Sequence, residues 1–354
     1  MKRTQNVLLL TGIFAVLSLA ACRKPNNSRS TNDPYIPVNP NGQPPTNYPG
    51  TGAASATLRS LFKDLRSTPQ TLTTTAGISS TIYGSKGTRI TFYPNSFKDA
   101  SGNIITSGNI VIKLTEMLTP GAMIAENATT QTTTGNILRS GGQLKIEASK
   151  DGQAVYANKY SLSFKQPAAS YQPMDLYFGD RNNKDSAVLW KPLVPSSGGG
   201  TGTTATGTVT GITPGGSPLD SSHFYVFDSC TDFQFLNCDR FFSYTGAKTN
   251  IHFVMPDTSF NEFYTQIFIV FHDIISVTKV DVSSYEKATK SFNLGPDLSL
   301  PIGDIINVIT ISKKENGKYY FSEQNGLTIT DAMSIDIPMT ERSLEYIKTR
   351  LGEL

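Results

Sequence analysis

The sequence predicts an all-β protein with two β-sandwich-like domains and a short C-terminal helix, preceded by a signal peptide and a disordered tether. Charged residues make up only 17% of the 354 residues, and 15 Tyr and 19 Phe accompany frequent Thr, Ser, Gly and Asn. This composition is typical of strands joined by many turns. Short segments of alternating apolar and polar residues recur between Gly, Asn and Asp turns, which is the pattern of a sandwich.

The first 21 residues predict a lipoprotein signal peptide. A basic start precedes an apolar run over Val7–Ala21, which is shorter than the about 20 residues that a membrane span needs. The run ends in Leu19-Ala20-Ala21-Cys22, which resembles the lipobox read by lipoprotein signal peptidase. We therefore expect cleavage before Cys22 and lipidation of its thiol, because two or more acyl chains hold a protein stably on a membrane. An ordinary signal peptide with an accidental cysteine, or a weak membrane anchor, is the alternative.

Residues 22–56 predict a flexible tether, because they are rich in Pro, Asn, Ser, Gly and Thr and hold few apolar side chains. Arg23 follows the cysteine, whereas an aspartate at that position signals inner-membrane retention in well-studied Gram-negative bacteria. By this analogy the outer membrane is favoured. The tether carries no short acidic run of the kind that directs some lipoproteins to the surface, which favours the periplasmic face. The net charge of +3 leaves no electrostatic footprint for nucleic acid.

Residues 57–194 predict the first sandwich domain. A short helix over Ala56–Leu65 should lead into it, because Leu58, Leu61, Phe62 and Leu65 have helical spacing. Beyond this helix the period changes to two, in the segments Thr88–Phe92, Asn109–Thr115, Gln143–Ala148 and Tyr160–Phe164. Near the end of the domain, Trp190 is expected to pack between domains rather than to bind a sugar.

A Gly/Ser/Thr linker over 195–218 should separate this domain from a second β-rich domain over 219–354. The candidate strands of the second domain are His223–Phe227, Asn250–Val254, Gln266–Phe271, Val277–Val282, Asn307–Ser312, Lys318–Phe321 and Leu327–Thr330. Asn316-Gly317 is the strongest hairpin signal in the chain. A C-terminal helix should follow, with Thr340 as its cap and an apolar stripe docked on a sheet. The stripe consists of Leu344, Ile347 and Leu351.

Cys230 and Cys238 are the two cysteines besides Cys22. If the chain is exported, both reach an oxidising compartment in which a disulfide can persist. A bridge between them would close a short loop and contribute about 2–3 kcal/mol on the loop-entropy argument. We therefore expect a disulfide, with two buried free thiols as the alternative.

Gly87–Phe97, followed by a turn and Asn109–Glu116, resembles the opening of the β-sandwich domain shared by zonula occludens proteins, netrin receptors and ankyrins. In that domain a glycine precedes an alternating strand and a turn of the form Pro-x-x-bulky. Ala122–Asn127, Gly141–Ile146 and, in the second half, Asn237–Phe242 are similar to segments of bacterial envelope lipoproteins that carry the same kind of domain. The resemblance implies a β-sandwich but does not imply an activity, because fold alone does not define function.

Some members of that sandwich group cleave themselves at His-Phe-Ser, where the serine hydroxyl attacks the preceding carbonyl. Here the corresponding triplets are His223-Phe224-Tyr225 and His252-Phe253-Val254, so the resemblance does not extend to self-cleavage. The sequence also lacks a nucleophile elbow, a zinc-protease helix and a phosphate-binding loop. His272-Asp273 could be an acid/base pair, but adjacent strand residues point to opposite faces, so a structural role is favoured. We expect neither an enzyme nor a metal or cofactor site.

Two further segments are candidates for binding. Asp99, Ser101 and Asn103 alternate like the first ligands of a calcium loop, but no later bidentate acid follows, so a plain turn is favoured. The segment Asp239-Arg240-Phe241-Phe242 places an acid and an arginine beside aromatic side chains, which can grip a sugar ring or a partner protein. In an all-β domain, such aromatic side chains can instead belong to the core.

Together these features predict a membrane-anchored envelope lipoprotein that acts as a non-enzymatic structural or protein-interaction module. Its expected partners are a membrane, through the lipid anchor, and an envelope protein. The alternative is a glycan-binding accessory lipoprotein of a polysaccharide-uptake system. Exposed aromatic side chains on one concave face would favour the glycan alternative, whereas buried aromatic side chains and a flat apolar edge would favour a protein partner.

Overall fold

The computed structural model describes residues 55–133, 135–165, 174–181, 187–192, 207–210, 224–242, 244–294 and 298–354. The predicted signal peptide over 1–21, nearly all of the tether and most of the linker over 195–218 lie outside these ranges. Strands account for 51% and helices for 11% of the structure, which confirms the prediction of an all-β protein.

The first thirteen strands form two sheets, which together we call the first sandwich. Their bounds are β1 Gln70–Thr75, β2 Ser80–Tyr83, β3 Arg89–Phe92, β4 Phe97–Lys98, β5 Asn109–Met117, β6 Leu138–Lys150, β7 Gln153–Ala157, β8 Tyr160–Lys165, β9 Asp175–Arg181, β10 Val188–Pro192, β11 Gly207–Thr210, β12 Phe224–Cys230 and β13 Gln234–Phe241. One sheet has the order β1-β5-β6-β13-β9-β10, with β7 and β4 attached at β6, and the other has the order β11-β12-β8-β3-β2.

The remaining strands form what we call the second module. Their bounds are β14 Lys248–Thr249, β15 Ile251–Val254, β16 Thr265–Phe271, β17 Val277–Lys279, β18 Ser291–Asn293, β19 Leu300–Pro301, β20 Ile305–Lys313, β21 Tyr319–Thr328, β22 Met333–Asp336 and β23 Thr340–Arg342. Its main sheet has the order β17-β16-β20-β21-β23, and two small sheets pair β18-β15-β22 and β14-β19. The helices are α1 Ala56–Leu65, α2 Pro120–Ala125 and α3 Leu344–Gly352, with a 3-10 turn over Val282–Ser284.

The predicted domain boundary needs a correction. Strands β12 and β13 come after the linker, in the region assigned to the second domain, yet they pair with the first sandwich. β12 pairs with β8, and β13 lies between β6 and β9 at the centre of its sheet. The sheets therefore divide after Phe241 rather than at 195–218. A glycine-rich stretch shows only where a chain can turn, whereas strand pairing decides which sheet the chain joins next.

An apolar layer, which we call the junction core, fills the space between the first sandwich and the second module. α1 contributes the four side chains that its spacing predicts, each at most 2% exposed: Leu58, Leu61, Phe62 and Leu65. β16 contributes Phe268 and Val270 to this core, while Ile267 and Ile269 face a second core inside the module. The sequence of β16 is almost continuously apolar because both faces of this strand are buried.

Trp190 lies in the junction core, as predicted, and is completely buried. Its indole Nε1 donates to the carbonyl oxygen of Thr129 at 2.5 Å. Thr129 belongs to a buried polar segment that also reaches the second module, where the Thr130 amide donates to the Val277 carbonyl at 2.7 Å. Apolar packing and hydrogen bonds together fix the position of the module against the sandwich.

The predicted C-terminal helix is confirmed, but its N-cap residue is Ser343 rather than Thr340. Ser343 caps α3, since its hydroxyl accepts from the Tyr346 amide at 3.1 Å. Thr340 instead lies in β23, which pairs with β21. The predicted hairpin is confirmed, because β20 pairs with β21 across a turn in which Gly317 has a φ of +80°. This left-handed conformation favours glycine.

Candidate functional site

A pocket of about 410 Å³ lies where the first sandwich meets the second module, and we call it the junction pocket. Its walls come from the start of β6, the end of β16 with the loop after it, and one end each of α2 and α3. Polar lining side chains include Arg139, Ser140, His272, Asp273 and Asn307. Pockets of this size at an interface between structural units are common ligand sites.

His272 and Asp273 contact each other, contrary to the expectation from strand geometry. The imidazole Nδ1 lies 2.9 Å from the Asp273 carboxylate Oδ1. The expectation was wrong because β16 ends at Phe271, so both residues lie in a bend where side chains no longer alternate between faces. Both side chains are mostly exposed. Burial, with a smaller contribution from the charge of Asp273, raises the pKa of nearby Asp304.

Ser140 connects the junction pocket to a buried polar network. Its hydroxyl donates to Asn237 Oδ1 at 3.0 Å and accepts from the Gly142 amide at 3.1 Å. Asn237 Nδ2 in turn donates to Asp239 Oδ2. Asp239 is completely buried, and this burial raises the pKa of its carboxyl group well above the usual range. Burial therefore disfavours the charged form of Asp239.

In the predicted binding segment Asp239–Phe242, only Asp239 is fully buried, and the other three residues are half-buried against neighbouring parts of the protein. Phe241 packs edge-on against Tyr177, with ring centroids 6.0 Å apart, and Phe242 packs against Phe271 at 5.7 Å. Arg240 is half-buried and lies directly opposite Arg139 on β6. The segment is covered because β13 is a central strand at the junction, so both of its faces meet other parts of the protein.

The predicted disulfide is absent, because Cys230 and Cys238 are both free and buried. Cys230 ends β12 in one sheet of the first sandwich, and Cys238 lies on β13 in the other. Both thiols lie in the apolar core between these two sheets, but they are not bonded to each other. Burial raises the pKa of the Cys230 thiol to about 12, with a smaller contribution from Asp228. Burial likewise raises the pKa of the Cys238 thiol.

Other candidates are distributed without forming a site. His252 is exposed on β15, whereas His223 lies outside the described residues. Asp99 Oδ1 accepts from the amides of Ser101 and Asn103 at 2.8 and 2.9 Å, which confirms a plain turn. Among the residues that the structure describes, no three His, Cys, Asp or Glu side chains come together as a group that could hold a metal ion.

Sequence reasoning missed Arg139 and Asn307, although both line the junction pocket. Arg139 is an ordinary polar position on β6, and Asn307 is one on β20. Apart from Pro120 and Ser140, the other lining residues come from segments more than a hundred positions away from Arg139. No local pattern could have selected these two residues.

Neither a protein-family model nor a curated protein matches the sequence. Within the described ranges, no helix has both the length and the apolar character needed to cross a membrane. The proposals below therefore depend on the sequence motifs and the geometry of the chain itself.

Proposed function

We propose that this protein is a lipid-anchored component of the bacterial cell envelope whose folded body acts as a non-enzymatic structural or protein-interaction module. The observation that carries the proposal is the apolar run ending in Leu19-Ala20-Ala21-Cys22. A lipidated Cys22 would hold the body on a membrane, favoured to be the outer membrane and on its periplasmic face. The residues between Cys22 and α1 would then separate the body from the bilayer.

The distribution of aromatic side chains supports an interaction module over a glycan-binding protein. Phe233, Phe235 and Trp190 are buried, and Phe241 and Phe242 pack into the junction. Among the described residues, the large aromatic side chains that are exposed lie in four separate parts of the chain: Tyr83, Tyr156, Phe263 and Tyr346. They form no single aromatic platform, although stacking on a run of sugar rings would need one.

Metabolic labelling tests the anchor. Wild-type protein expressed in a Gram-negative host should incorporate labelled palmitate and fractionate with the outer membrane. Cys22→Ser should lose the label and accumulate as the uncleaved precursor, because the thiol is the acceptor of the lipid. Cys230→Ser is the matched control and should keep the label, since its thiol is buried on β12. Equal labelling of wild type and Cys22→Ser would refute the anchor.

Crosslinking in intact envelopes tests the interaction module. The lipidated protein should give a discrete crosslinked band that is also recovered by pull-down, and Cys22→Ser should lose it. A wild-type protein that forms no crosslink in intact envelopes would contradict a role in protein interaction.

The glycan alternative has one specific observation in its favour. A groove of about 590 Å³ on the first sandwich is lined by Tyr156, which is 49% exposed, together with Lys113, Asp232 and Gln234. A half-exposed ring beside polar groups is a common way to bind a sugar. Tyr156→Ala should abolish retention on an immobilised envelope polysaccharide if this alternative holds, with Tyr83→Ala as the control. Equal retention of the two variants, or no retention of the wild type, would rule out the glycan alternative.

A further inference from the structure

Arg139 has an unusual environment for a charged side chain. It is half-buried and lines the junction pocket, and its side chain makes no hydrogen bond or ion pair with any residue that the structure describes. A guanidinium group carries five donors and stays charged at every physiological pH. Leaving such a group partly desolvated without an acceptor is unfavourable, so an unpaired arginine in a pocket points to an acceptor supplied from outside.

The acidic side chains of the pocket do not meet this need. Asp273 is engaged with His272 at 2.9 Å. Glu353 is paired with Arg350 on α3. Each carboxylate therefore already has a nearby partner, while no ion pair of Arg139 with a described group is present.

Arg240 adds positive charge next to Arg139. The two residues are directly opposite each other on neighbouring strands β13 and β6, so their side chains leave the same face of the sheet. Like charges in this position repel each other. An anion bound at this point would lower the repulsion, whatever other contacts Arg240 makes.

Asn307 supplies a second donor to the same pocket. Its Oδ1 accepts from the Gly326 amide at 2.9 Å, which orients the carboxamide and leaves Nδ2 as the outward donor. Nδ2 makes no hydrogen bond within the described ranges. Donors from a guanidinium and a carboxamide in one pocket match an oxygen-rich anion.

We propose that the junction pocket binds a small oxyanion, either a carboxylate or a phosphate, through the guanidinium of Arg139 with help from Asn307 Nδ2. The pocket volume of about 410 Å³ is within the range of sites for small molecules. This role goes beyond membrane anchoring and envelope interaction, and it does not depend on either of them.

Calorimetric titration of the full purified chain tests the proposal. Sodium phosphate and sodium succinate are the probes, each at constant ionic strength adjusted with sodium chloride. At least one should bind saturably. Binding should be at least about tenfold weaker in Arg139→Gln, because a charge-assisted pair is lost, and less impaired in Arg139→Lys, which keeps the charge but not the two-pronged geometry.

Arg342→Gln is the matched control and should bind like wild type, because its guanidinium stacks on Tyr346 at 5.0 Å, outside the junction pocket. Binding of only one probe would identify the anion as a phosphate or a carboxylate. Absence of saturable binding for both probes, or equal affinities of wild type and Arg139→Gln, would overturn the proposal.

Chemical footprinting of the unmodified wild-type sequence provides a test that no folding defect of a variant can affect. Phenylglyoxal should label Arg139 in the free protein, and the bound probe should slow this labelling at least about tenfold at saturation. Labelling of Arg342 should be unchanged. Equal labelling of Arg139 with and without the probe would also overturn the proposal.

Discussion

Replacing Asp239 with asparagine should stabilise the protein at neutral pH, by an amount that grows as the pH rises. The Asp239 carboxyl group is completely buried and accepts a hydrogen bond from the uncharged side chain of Asn237. Burial disfavours its charged form and raises its pKa in the folded state well above 3.8, its ordinary value. Asparagine has nearly the same shape, can accept the same hydrogen bond from Asn237, and does not titrate.

The sign and slope of the effect follow from proton linkage. Below pH 3.8, Asp239 is protonated in both the folded and the unfolded chain and contributes no pH dependence. Above that pH the unfolded chain loses the proton while the folded chain keeps it. The free energy of unfolding of the wild type therefore falls by about 1.4 kcal/mol per pH unit, until the pKa of the folded state is reached. In Asp239→Asn this fall in the free energy of unfolding does not occur, because asparagine does not titrate.

Urea unfolding of both proteins at several pH values between 3 and 7 measures the effect. The difference in unfolding free energy should be constant near pH 3 and then rise in favour of Asp239→Asn, with a slope of about 1.4 kcal/mol per pH unit wherever only the unfolded chain has lost the proton. Other titrating groups, including buried Glu126, are common to both proteins and cancel in the difference. Asp180→Asn is the matched control, because the Asp180 side chain is 80% exposed. A difference for Asp239→Asn that does not change with pH would refute the reasoning.

Two further predictions follow from close packing and from the two buried, unpaired thiols. Gly121→Ala should destabilise the protein by about 1–3 kcal/mol in urea unfolding, because the new Cβ would lie 1.6 Å from the Leu351 carbonyl oxygen. Gly352→Ala is the control and should be neutral or stabilising, because a Cβ at that position would meet open space. Equal effects of the two substitutions would contradict this packing. Cys230 and Cys238 should resist iodoacetamide in the native protein, yet react fully in urea without a reductant, as mass spectrometry would show. A requirement for reductant in urea would instead indicate a disulfide.

Local features of the sequence determined most of the secondary structure. The spacing of Leu58, Leu61, Phe62 and Leu65 predicts α1 correctly, because a helix brings residues three and four positions apart to one face. The alternation in Arg89–Phe92 likewise predicts β3, in which Ile90 and Phe92 are buried. Such patterns are contained within one turn or one strand, so a single segment carries the full signal.

The tertiary structure decided which segments meet. Ser140 and Asn237 are 97 positions apart but hydrogen-bonded, because β13 returns to the first sandwich and pairs with β6. The same return places the two cysteines in different sheets. It also packs Asp239–Phe242 against neighbouring parts of the fold, so that Asp239 is buried and the other three residues are half-buried.

The junction pocket shows the same limit in the candidate site. His272 and Asp273 were visible in the sequence as neighbours, but their contact depends on where β16 ends. Arg139 carried no local signal, since its significance lies in the missing counter-ion and in the walls that other segments build around it. The periodicity of apolar residues within a segment indicates which face of that segment is buried. Which residues pack against that face depends on the whole fold.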